Sequence, residues 1–99
     1  MIWFVRIRLN SAVEEKLANE LSRNFGQTYV DNGRNLTEIT FYTVHTNLHS
    51  AINNSISSVQ NFITLLIYGI YINRVEVMTR EERLEMLKDE GITEEDVSQ

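Results

Sequence analysis

Apolar and polar side chains alternate along the first nine residues, with Trp3, Val5, Ile7 and Leu9 on one side and Arg6 and Arg8 on the other. A period of two belongs to a strand with one buried face, so a strand is predicted over 2–9. The period then changes to four. Val13, Leu17, Leu21 and Phe25, flanked by Ala18, form one apolar stripe and predict a helix over 11–25. Ser11-Ala-Val-Glu14 has the form of a capping box at its start, and Gly26 stands where a left-handed residue would end it. A short strand over 27–31 follows. Asn32-Gly33 then reads as a tight hairpin turn with positive φ at both residues. In the returning strand, 35–44, Ile39 and Phe41 alternate with Glu38, Thr40 and Tyr42.

The helical period resumes near Thr46 or Asn47. Leu48, Ile52, Ile56, Val59, Ile63 and Leu66 make an amphipathic seam, with serines and asparagines outside it. Gly69 is placed to cap this helix, with Ile70 folding back on Leu65. Arg74 to Met78 predicts the last strand, with Val75 and Val77 inward. Thr79-Arg-Glu-Glu82 is a second capping box and opens a helix to about Glu90 that Gly91 stops, with Ile92 set against Leu87. The resulting order, β-α-β-β-α-β plus one helix, is similar to the ferredoxin-like split-βαβ arrangement. That resemblance implies an α+β two-layer sandwich, residues 1–78, carrying an extra acidic C-terminal helix and tail, residues 79–99.

Ninety-nine residues suit one domain with one core. Cysteine is absent, which excludes thiol catalysis, disulfide scaffolds and zinc fingers. Residues 1–78 carry six basic and six acidic side chains, so the whole net charge of −5 falls in residues 79–99. A neutral body with an acidic appendage makes a poor ligand for polyanions, because nucleic-acid affinity rests on clustered Lys and Arg neutralising phosphates. Met1 to Arg6 lacks the basic start and apolar run of a secretory signal, and the expected address is cytoplasmic. The expected setting is an accessory part of a bacterial, archaeal or phage system, and the Ile and Asn content hints at an AT-rich genome.

Candidate chemistry is sparse. His45 and His49 stand four apart at a helix entrance, half of a zinc spacing, but the glutamate that completes a metalloprotease motif is replaced by Thr46. Phe4, Arg6, Arg8, Tyr29, Thr40 and Tyr42 are expected on the sheet face away from the helices, where RNA-recognition modules stack bases. The glycine- and aromatic-rich consensus of those modules is absent, and Glu38 and Glu76 on neighbouring strands are placed to match the two arginines. Metal nucleases of CRISPR adaptation share this topology and carry an aspartate after the first strand; Asn10 stands there and supplies no charge for magnesium. Amino-acid-binding regulatory domains need a glycine in that turn, and Leu9-Asn10-Ser11 has none. No cofactor is expected. A small dimeric enzyme of this fold would draw on His45, Arg8 and Tyr42 in a cavity on the open sheet face.

One stretch resists burial within a single copy. From Phe62 to Ile72 the polar face of the helix vanishes, leaving Thr64 and Gly69 as its only relief. Eleven residues are too few to span a bilayer, yet a helix apolar on all sides needs cover on all sides. The expectation is therefore a non-enzymatic interaction or assembly module, self-associating as a homodimer or docking another protein. Its contact would use Phe4, Arg6, Arg8, Thr40 and Tyr42 of the sheet, or Phe62, Leu65, Tyr68 and Tyr71 at the helix end.

Overall fold

The computed structural model describes residues 1–66 and 69–89, and for 64–66 the backbone alone. The elements run β1 (Ile2–Leu9), α1 (Glu15–Asn24), β2 (Gln27–Asp31), β3 (Leu36–Val44), α2 (Leu48–Leu66), β4 (Ile72–Thr79) and α3 (Arg80–Asp89). The four strands form one antiparallel sheet in the order β2-β3-β1-β4. This is an α+β arrangement of a four-stranded sheet and, among the described residues, three helices. Central β1 pairs with β3 from Ile2↔Val44 to Leu9↔Thr37, and with β4 from Trp3↔Thr79 to Leu9↔Ile72. The short β2 covers only part of β3, from Asp31↔Leu36 to Gln27↔Thr40, so β3 runs on past it.

Strand alternation sorts the side chains. Val5, Ile7, Leu9 and Ile39 join Val13, Leu17 and Leu21 of the α1 side and Val59 and Ile63 of α2 in one buried cluster, with Phe25, Phe41, Phe62, Val75 and Val77 packed around it. The opposite sheet face carries the even-numbered residues of β1, β3 and β4. There α3 lies across β1 and β4. None of the described helices is long and apolar enough to cross a membrane.

Several local expectations are corrected. Helix α1 begins at Glu15, after an extended Glu14 that makes no side-chain cap. Its predicted start is pinned elsewhere: Val13 N–H donates to Thr37 Oγ1 at 3.0 Å, Thr37 Oγ1 donates to the Ser11 carbonyl at 2.9 Å, and Ala12 N–H donates to Asn35 Oδ1 at 3.0 Å. Residues 11–13 are tied to Asn35 and Thr37 before the helix starts. The hairpin is a four-residue loop, because Asp31 Oδ1 accepts the Arg34 N–H at 3.0 Å and closes the turn. The left-handed position moves to Asn35, at φ 52°, and neither Asn32 nor Gly33 has positive φ. Gly26 acts by close approach, since a Cβ there would lie 2.4 Å from the Thr40 carbonyl oxygen.

The buried stripe of α2 is Ala51, Ser55, Val59 and Ile63, while Leu48 is exposed, so the seam is turned from the predicted one. Small residues face the sheet and let the helix approach it. Asn47 caps α2 by accepting the Ser50 N–H at 2.9 Å. Gly69 does take positive φ, 89°. The second capping box forms as predicted: Glu82 N–H donates to Thr79 Oγ1 at 3.0 Å, and Thr79 N–H donates to Glu82 Oε1 at 3.3 Å. The Ile70–Leu65 and Ile92–Leu87 contacts, the Gly91 stop and the acidic tail lie outside the described residues.

Candidate interaction surface

The sheet face away from α1 and α2 is built by β1 and its neighbours in register. Arg6 stands opposite Glu76 and Arg8 opposite Glu38. Both expected pairs form: Arg6 Nη1 lies 3.3 Å from Glu76 Oε2, and Arg8 donates to Glu38 Oε1 through Nη2 at 2.7 Å and Nε at 3.2 Å. Arg74 shares Glu76 at 2.9 Å. Arg6 and Arg8 are thus paired with cross-strand carboxylates, which lessens their use as phosphate contacts.

Over the β1–β4 half, α3 closes the face. Phe4 is only 4% exposed, with the Arg83 guanidinium 4.4 Å from its ring centroid and the Tyr42 ring edge-on at 5.5 Å. Leu87 is buried at this contact and Leu84 half-buried. The guanidinium on an aromatic face replaces solvent there by a cation–π contact. Phe4 is therefore committed within its own chain.

The β3 half stays open. Ile2 and Val44 are partners in register, with Tyr42 two residues along β3, and they are 40%, 72% and 40% exposed. Tyr29 of β2 stands opposite Glu38 on the same face and is 57% exposed. Half-buried Thr40 lies between them. An apolar strip thus borders a patch of paired charges. Sequence reading reached Tyr42, Tyr29 and Thr40 but passed over Ile2 and Val44. Their even parity was the available signal; only the register showed that they meet.

The other expected contact residues are spread apart. Phe62 points into the core region, its ring edge-on to Phe25 at 5.2 Å. Tyr71 is exposed at the far end of the sheet, its N–H donating to Asn10 Oδ1 at 2.9 Å. Leu65 and Tyr68 lie outside the described side chains. Asn10 also donates through Nδ2 to the Gly69 carbonyl at 3.3 Å, so its carboxamide ties the α2–β4 turn to the end of β1.

His45, Arg8 and Tyr42 are not brought together. The His45 ring sits on the helix side of the sheet with Thr43 and Asn54, while Arg8 and Tyr42 occupy the outer face. His49 is turned to Asn53 at 2.9 Å, and no cluster of metal-ligating side chains exists among the described residues. No family model, curated protein or solved structure matches the chain.

Proposed function

We propose that the chain is a non-enzymatic assembly module of ferredoxin-like topology, which works as a cytoplasmic homodimer and meets its second copy through the open half of the outer sheet face. The topology reading is supported by the strand order β2-β3-β1-β4 with a helix after β1 and another after β3, as two interleaved split-βαβ units require. The dimer reading rests above all on the exposed strip of Ile2, Tyr42 and Val44. Full burial of such a side chain contributes roughly 1.5–3 kcal/mol, and a two-fold contact buries each of them twice.

A second copy fits this strip better than a charged partner. Residues 1–78 carry equal numbers of basic and acidic side chains, so the net charge of −5 on each copy lies in residues 79–99 and not in the strands that would meet. The rim arginines Arg8 and Arg6 already have carboxylate partners within each copy, Glu38 and Glu76, the latter shared with Arg74. Val44→Asp and Tyr42→Asp test the reading directly. Val44 is 72% exposed, so its replacement leaves the monomer's packing intact and decides the matter if the loss of the Tyr42–Phe4 contact disturbs the fold. Each variant is expected to halve the mass measured by sedimentation equilibrium. Unchanged mass in both variants would remove this face from the contact.

A further inference from the structure

On the helix side, α2 presents Ser55 to the interior where an apolar side chain would complete the packing. The residue is 4% exposed, and its Oγ has no hydrogen-bond partner. A buried hydroxyl without a partner is less favourable than a methyl group, so packing alone does not account for it. Beside it lies a cleft of about 370 Å³ between the end of α1, the first half of α2 and the part of β3 that runs past β2. Phe25 and Phe41 supply its aromatic walls, with ring centroids 6.3 Å apart and planes tilted by 37°. Asn24, Asn54, Ser58 and Thr43 supply amides and hydroxyls. The His45 ring is fixed at the rim, with Nε2 3.1 Å from Thr43 Oγ1 and Nδ1 3.4 Å from Asn54 Nδ2.

We propose that this cleft binds an uncharged, planar nitrogen heterocycle of nucleobase size. Among the described residues no Asp, Glu, Lys or Arg lines it, so a charged group would enter without a counter-charge from them. Two phenylalanines favour a flat ring, which gains from edge or offset stacking. Carboxamides and hydroxyls both donate and accept, as the edges of such a ring do. The volume lies at the lower end of small-molecule sites, about 300–1,000 Å³. The ligand site is separate from the outer sheet face and does not depend on self-association.

The test is amide chemical-shift titration of the full chain with adenine, cytosine and adenosine. Saturable shifts confined to Phe25, Phe41, Thr43 and Asn54 to Ser58 are expected for at least one of them. Ser55→Leu pushes an apolar side chain into the cleft and should abolish the shifts. Asn54→Ala, at an exposed position, should weaken binding several-fold and decides the matter if Ser55→Leu does not fold. Adenosine monophosphate should bind no more tightly than adenosine, with an affinity independent of salt; tighter, salt-sensitive binding would mean phosphate recognition and overturn the proposal. No saturable shift with any base would overturn it too, as would shifts that survive both substitutions.

Discussion

Thr37 is fully buried, and its hydroxyl both accepts the Val13 N–H and donates to the Ser11 carbonyl. Thr37→Val keeps the shape and strands both partners, so a loss of about 1–3 kcal/mol in urea denaturation is expected. Asn10 uses its oxygen and its amide hydrogen on two different backbone groups, so Asn10→Asp should cost about 1 kcal/mol near pH 7, where a carboxylate cannot donate to Gly69. Neither role was legible in the sequence, because each joins residues far apart along the chain. At the hairpin, the hydrogen bond from the Arg34 side chain, then that from its N–H, lowers the Asp31 pKa from its ordinary 3.8. A depressed carboxylate contributes stability that is intact above the unfolded value and is lost as pH falls through the folded one. Asp31→Asn should therefore narrow the gap in melting temperature between pH 7 and pH 2; an unchanged gap would deny Asp31 a part in it.

Elements begin where local chemistry and distant partners agree. Thr79-Arg-Glu-Glu82 forms its capping box because β4 delivers Thr79 directly to the helix start, and the pattern was readable for that reason. Ser11-Ala-Val-Glu14 has the same form and fails, because Asn35 and Thr37 hold that backbone first. Thr79→Ala should cost about 1 kcal/mol and speed amide exchange in α3, while Ser11→Ala should leave exchange at the start of α1 unchanged. Gly26 was expected at a left-handed helix end and instead admits β3. A Cβ at Gly26 would meet Thr40 backbone at 2.4 Å and the Phe41 Cβ at 2.7 Å. Gly26→Ala should accordingly destabilise by about 1–3 kcal/mol, the range of overpacked cores, in the same denaturation assay.

At the scale of the whole molecule, periodicity gave the element order and the two faces of the sheet, since alternation in β1 and β3 separates Val5, Ile7 and Ile39 from Arg6, Arg8 and Glu38. It did not give the position of α3, whose composition offers only Leu84 and Leu87 as a guide to docking. That helix takes Phe4 out of reach, while Ile2, Tyr42 and Val44 stay in the open. Phe62, at the helix end, packs against Phe25, while these three side chains stand exposed on the β3 side of the sheet, where the proposed self-association would form. Static light scattering on the intact protein at micromolar concentration tests this most directly. A mass of about twice the 11.6 kDa chain is the expected result; a particle of a single chain's mass at every concentration would contradict the account.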